Sequence, residues 1–295
     1  MKPLVVSFSS GRTSEMMAKL LNDEFKGKRD IINIFANSTQ EHEKSLKFAN
    51  DCDVYFGLDL VWVESEIYGD KGLGTKHKVV SYETADRYGG AFEEMIKKYG
   101  IPNQSYPHCN RELKLAPIYS YVNNTLGCSE FDVAVGIRAD EIDRISSTAK
   151  EKGIIYPMIK RNIKKIDVLR WWDVQEFDLE IPEHMGNCTW CWKKSFLKLK
   201  TLMDDNSEFF NFPEEREEKY GRVGASYKKT GVPTKFFRGH RSVKDIRDMT
   251  RSTDDRFTDR WWNLAGACSE SCDAFSSDDL FSVSGMKETR NGVVS

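Results

Sequence analysis

The chain has 295 residues, 31% charged, 39% hydrophobic and 12% aromatic, so it can bury a large core and lacks the aromatic-poor composition of a disordered protein. Its formal net charge of −2 excludes coating of nucleic acid by bulk charge, although a local basic face remains compatible with that total. No run approaches the ~18 apolar residues of a membrane span, and Met1-Lys2-Pro3 leads straight into an apolar strand rather than a signal peptide, so a cytoplasmic protein without membrane contact is expected.

In chain order, the apolar run Leu4 to Phe8 passes through Ser9-Ser10-Gly11-Arg12-Thr13-Ser14 into Met16, Met17, Leu20 and Leu21 at helical spacing. A second run, Ile31 to Ala36, ends in Asn37-Ser38-Thr39 and precedes a helix carrying Leu46, Phe48 and Ala49. Leu60 to Val63 and Phe131 to Val135 read as further strands, the latter entering Gly136-Ile137-Arg138-Ala139-Asp140-Glu141. Between them, residues from about 65 to 108 read as a helix within loops over one edge of the site. The alternation predicts an α/β fold with a doubly wound, mostly parallel sheet. After Ile155 it fades, and Asp167 to Trp172 reads as an amphipathic helix opening a mainly helical, cysteine-bearing lobe. The expected division is a nucleotide-binding core over 1–165 and a helical lobe over 166–295.

A hydroxyl-rich turn containing glycine between strand and helix presents backbone N–H groups and a helix start to an anion, and phosphate suits it. Gly11 would allow close approach or a positive φ, Arg12 could clamp phosphate through two N–H groups, and Ser9, Ser10, Thr13 and Ser14 add donors. Chemistry alone leaves open that Ser and Thr merely cap the helix.

Four collinear segments resemble motifs of the PP-loop ATP pyrophosphatase and phosphoadenosine-phosphosulfate (PAPS) reductase superfamily. Ser9 to Ser14 resembles its Ser-Gly-Gly-x-x-Ser loop, and Phe35-Ala36-Asn37-Ser38-Thr39, with Glu41 and Glu43, resembles its strand-end Asn-Thr-Gly and acidic follow-on. Cys109-Asn110-Arg111-Glu112-Leu113-Lys114-Leu115-Ala116-Pro117 resembles its Cys, Lys and Pro helix entry, and Gly136 to Arg144 its Gly-x-Arg-x-x-Glu-x-x-Arg signature. The resemblance covers roughly residues 4 to 165. It departs at Ser10 and Thr39, where the family usually has Gly.

The resemblance implies a Rossmann-like fold with an adenine nucleotide, ATP or PAPS, at the carboxyl ends of the strands. Ser7, Ser9, Ser10, Gly11, Arg12, Thr13 and Ser14 would face phosphate, the backbone near Phe35, Ala36 and Asn37 would face adenine, and Gly136 and Arg138 would close the site. Arg12, Lys114, Arg138 and Arg144 would neutralise phosphate or sulfate; the alternative for the last three is salt bridging with Glu112, Asp140 and Asp143.

Seven cysteines in a cytosolic chain favour metal or redox chemistry over disulfides. Cys52 and Cys128 stand apart and read as buried thiols. Cys188-Thr189-Trp190-Cys191 has a spacing that lets two thiolates meet one metal, Cys268 and Cys272 form a second close pair, and Cys109 is a fifth candidate. The resemblance implies a [4Fe–4S] cluster, with zinc the alternative. His108 stands where the reductases have a second Cys.

From 225 to 251, eight cations (Lys228, Lys229, Lys235, Arg238, Arg241, Lys244, Arg247, Arg251) face only Asp245 and Asp248, with Tyr227, Phe236 and Phe237 among them. This suits a polyanion such as nucleic acid, with phosphates on the cations and bases on the rings; the alternative is a solvated face whose rings pack inward. Lys160, Arg161, Lys164 and Lys165 could extend it. Two enzyme activities fit: ATP cleavage to AMP and pyrophosphate that adenylates an acceptor for sulfur transfer, or reduction of a sulfonucleotide by a cysteine thiol. A nucleotide- and metal-bearing binding module is the non-enzymatic alternative.

Overall fold

The computed structural model describes residues 1–70, 72–251 and 255–257. Six strands, β1 (Leu4–Phe8), β2 (Ile31–Ala36), β3 (Val61–Ile67), β4 (Thr75–Val80), β5 (Asp132–Ala134) and β6 (Ile154–Ile155), form one sheet in the order β4-β3-β2-β1-β5-β6. All neighbours are parallel except β3 and β4. Every residue of β1 is buried, as expected of a central parallel strand covered on both faces.

The pleat explains how one strand feeds two cores. Leu4, Val6 and Phe8 join α1 (Arg12–Phe25), α2 (Glu43–Phe56) and the helix Lys165–Trp172 on one face, through Met17, Leu21, Leu46, Phe48 and Trp172. Val5 points the other way, with Ile34, Val63 and Val133, onto Leu115, Ile118 and Val122 of the helical run 108–125. Helices therefore cover both faces, and the sheet is doubly wound. A third core draws Phe92, Met95 and Ile96 of α3 (Gly90–Tyr99) together with Cys188, Trp190, Cys191, Phe210, Phe236 and Ile246.

The expectation of a helix within loops over 65–108 is corrected. Strand β3 continues to Ile67 and β4 follows antiparallel at the sheet edge, before α3. The residues of β4 are half-buried or exposed, and its Lys76 and Lys78 are of the kind that guards an open edge, so its hydrophobic signal is weak. Among the described residues, no helix is long and apolar enough to cross a membrane.

Candidate nucleotide turn and cysteine loop

Strand order reverses between β1 and β5, and the carboxyl ends of these strands carry Ser9 to Ser14 and Gly136 to Arg144. A crevice outside such a switch point is where open α/β sheets bind ligands. Gly136 lies so close to α1 that an added Cβ would stand 3.2 Å from Ser14 Cα, and Arg138 Nη1 lies 3.4 Å from Thr13 Oγ1. The two strand-end loops are thus in contact.

Within the turn, Ser14 Oγ meets Ser9 Oγ at 2.7 Å and accepts from Ser9 N at 3.2 Å, while Ser10 Oγ donates to Ser9 O. Gly11 caps α1 with no side-chain hydrogen bond, so the Ser and Thr hydroxyls do not act as its N-cap. Among the described residues, no acceptor takes the backbone N–H groups of Gly11, Arg12 and Thr13, the usual orphans of a helix start. The positive φ falls on Ser10 (57°) rather than Gly11 (−127°), and Thr39 has φ 64°. Both departures from the PP-loop pattern therefore occupy left-handed positions that glycine would adopt more freely.

Arg12 has a different neighbourhood from the one expected. Its Nε and Nη2 reach Asp178 at 2.6 and 2.8 Å, Nη2 also reaches Leu179 O, and Trp172 Nε1 donates to Arg12 O. The guanidinium ties the turn to the segment after the helix Lys165–Trp172. The side chains of Ser7, Phe35 and Ala36 lie in the interior, Phe35 edge-on to Trp62, so a ligand there would meet backbone.

Of the ion pairs given as the alternative, that of Arg138 with Asp140 forms and the other two do not. Lys114 pairs with Glu41 at 3.3 Å, not Glu112, and both side chains are almost wholly buried. Arg138 engages Asp140 and Glu141, and Arg144 engages Glu141 rather than Asp143. Arg144 Nη2 is buried without an acceptor among the described residues. Asn37 organises the end of β2: its amide donates to Glu64 and Asp86 O, and its carbonyl accepts from Thr39 N, supporting the turn there.

This strand end is stitched to the cysteine loop. Glu41 and Cys188 form an antiparallel bridge, Thr189 N donates to Gln40 O, Trp190 Nε1 donates to Gln40 Oε1, and Ser38 Oγ lies 3.1 Å from Cys188 Sγ. Cys188 and Cys191 are buried, and Cys109 packs against the same core. Lys194, also buried, donates to Gly186 O and so spans the loop. Among the described residues, no three His, Cys, Asp or Glu side chains are grouped to hold a metal ion. The three thiols suit a cluster in donor type, Cys188 and Cys191 buried and Cys109 half-buried against the same core; Cys268 and Cys272 lie outside the described residues. Cys52 is buried and its thiol is pushed up by that burial, whereas Cys128 is only half-buried, against expectation.

In the basic stretch, Phe236 and Phe237 are buried in the third core, which removes the expected stacking of bases on these rings. Lys228, Lys229, Arg238, Arg241, Lys244 and Arg251 are exposed, while Arg247 is held by Glu214. Arg238 donates to Lys193 O, joining this face to the cysteine loop. Of the proposed extension, Arg161 pairs with Glu24 and Lys165 with Glu183. Ser38 was read only as part of the strand-end motif, and Gln40 and Asp178 were not selected from the sequence; their roles come from contacts across 150, 150 and 166 positions, which no local pattern signals.

The fold and site define an α/β protein with a serine turn at the switch point and a cysteine loop fastened to the next strand end. The chain belongs to the family of the nin region protein ORF290 of Escherichia phage lambda, with which it is 30% identical over 281 residues, 92% of this chain and 94% of that one. It is also 25% identical over 172 residues to protein MJ0066 of Methanocaldococcus jannaschii, a match spanning 58% of this chain and 29% of that protein. No family model matches. Among solved structures, the U34-tRNA thiolase NcsA from Methanococcus maripaludis with its [4Fe-4S] cluster is similar at a TM-score of 0.41 and 15% identity, over 92% of this chain and 80% of that chain.

Proposed function

We propose that the chain binds ATP with its phosphates on the Ser9–Ser14 turn and cleaves it to AMP and pyrophosphate. An acceptor oxygen attacks the α-phosphorus, the α–β bond breaks and pyrophosphate leaves; a sulfur nucleophile then displaces AMP from the adenylated carbon. The observation that carries this reading is the contact of Arg138 with Thr13 over a helix start whose first N–H groups have no acceptor among the described residues. An anion placed there would meet those N–H groups and a guanidinium together. Lys114 and Arg144 would neutralise the negative charge that develops on the leaving pyrophosphate, and Arg12 would hold the turn through Asp178.

Cys109, Cys188 and Cys191, with one of Cys268 or Cys272, would supply four thiolates to a [4Fe–4S] cluster, one for each iron. The exposed cations of 225–251 would take the phosphates of a nucleic-acid acceptor. Pyrophosphate release from ATP tests the reading. Release supports adenylation; ATP bound without turnover across candidate acceptors favours a binding module, and turnover of PAPS instead of ATP favours a reductase.

A further inference from the structure

Within the basic stretch, one turn is braced from several sides. Phe237 and Arg241 bridge each other through two backbone hydrogen bonds, at 3.1 and 3.2 Å, and the three residues between them reverse the chain. Gly239 and His240 do so with positive φ, 71° and 59°. Glu217, on the helix Asn211–Tyr220, holds the base of the turn: its buried carboxylate accepts from Phe236 N on one arm and from Val243 N on the other. Phe236 and Phe237 root the first arm in the third core.

The tip is cationic and its charge is not matched locally. Arg238, His240 and Arg241 are exposed. Arg238 Nη2 donates to Lys193 O and Arg241 Nη1 to Arg238 O. A Cβ added at Gly239 would stand 2.8 Å from the Arg241 guanidinium, so that group lies over the turn. Among the described residues, neither arginine has a carboxylate partner. The acids nearby are engaged: Asp245 accepts from the N–H and hydroxyl of Ser242, Glu214 holds Arg247, and Asp248 pairs with Arg251. Two guanidiniums are thus fixed in place by carbonyls, with further N–H groups left for an anion, and phosphate oxygens match them.

We propose that this turn docks the backbone of double-stranded DNA beside the cysteine loop. The form of the nucleic acid follows from what the turn does not offer. Its rings point into the core, so unpaired bases have nothing to stack on. Its tip carries no hydroxyl for a ribose, and the adjacent Ser242 directs its own to Asp245. A DNA duplex needs neither: it presents one charge per ~1.7 Å of axis, and its narrow minor groove concentrates negative potential where arginine side chains enter. Because Arg238 is fastened to Lys193, two residues after Cys191, the duplex would rest against the cysteine loop. The inference rests on the reading of the basic stretch as facing nucleic acid and names the form of that partner; ATP plays no part in it.

The test is fluorescence anisotropy of the full chain, without ATP, on a DNA duplex of about two helical turns, one of its strands alone, and the RNA duplex of the same sequence. The DNA duplex should bind about tenfold or more tightly than the single strand, and several-fold more tightly than the RNA duplex. Joint Arg238→Ala and Arg241→Ala should weaken the duplex about tenfold and lower the log–log salt slope by about two, with the denaturation midpoint unchanged. Joint Lys26→Ala and Lys28→Ala, which removes two exposed cations after α1, should leave duplex affinity unchanged. Equal or tighter binding of the single strand or of the RNA duplex overturns the proposal and leaves the nucleic-acid reading in place; binding of none of the three removes both. An equal loss in the Lys26 and Lys28 variant, or full affinity in the folded arginine variant, also overturns it.

Discussion

Ser38 and Cys188 meet at 3.1 Å between side-chain oxygen and sulfur, across 150 positions of chain. The end of β2 and the cysteine loop are therefore joined through Cys188 as well as through the backbone bridge to Glu41. Protein purified without oxygen should be brown and carry about four iron atoms per chain with matching sulfide. Cys188→Ser or Cys191→Ser should lose the iron and lower stability, whereas Cys52→Ser should keep the iron. Stoichiometric zinc with no iron or sulfide from anaerobic preparations would contradict the cluster.

Glu217 accepts from Phe236 N at 2.9 Å and Val243 N at 3.0 Å, yet burial outweighs both bonds and pushes its pKa up to about 7. The folded state thus holds a proton that the unfolded state releases near its ordinary value of 4.5. The associated stability is fully present below that lower value, is lost as pH rises through about 7, and is of the order of 3 kcal/mol. Glu93 acts oppositely: its hydrogen bond from Tyr220, with help from Lys219 and Arg216 against burial, lowers its pKa to about 2, so its contribution is lost in acid. Urea titrations from pH 4.5 to 8 should show a decline in stability that Glu217→Gln removes. An identical profile in the variant would refute the assignment.

The exposed Arg238 and Arg241, with the half-buried Lys235, should contribute to any nucleic-acid affinity through phosphate alone, since Phe236 and Phe237 are buried. Affinity should fall with salt, and replacing Lys235, Arg238 and Arg241 with Ala should reduce the log–log salt slope by about three. Binding that is insensitive to salt counts against this face.

The alternation of strands and helices was readable because β1 and β2 are near-continuous apolar runs ending in turn residues. Strand β4 escaped notice because its lysines alternate along an edge. At the turn, residue types suggested that Gly11 allows close approach or a positive φ and that Arg12 could clamp phosphate; the positive φ falls on Ser10, and Arg12 meets Asp178 from 166 positions away. Charge patterning foresaw the basic stretch but not which rings face inward, because that depends on the third core assembling from residues on α3 and after 188.

The central claim, that a nucleotide rests on the serine turn, is tested most directly by calorimetric titration of ATP into the wild type and Gly11→Val. Gly11 has extended φ and ψ, and the nearest atom to an added Cβ is Ser9 Oγ at 3.9 Å, so the substitution has room in the fold and should leave the denaturation midpoint nearly unchanged. Its branched side chain would occupy the space above the free N–H groups, so ATP affinity should be abolished. A folded Gly11→Val protein that binds ATP as tightly as the wild type would contradict the account.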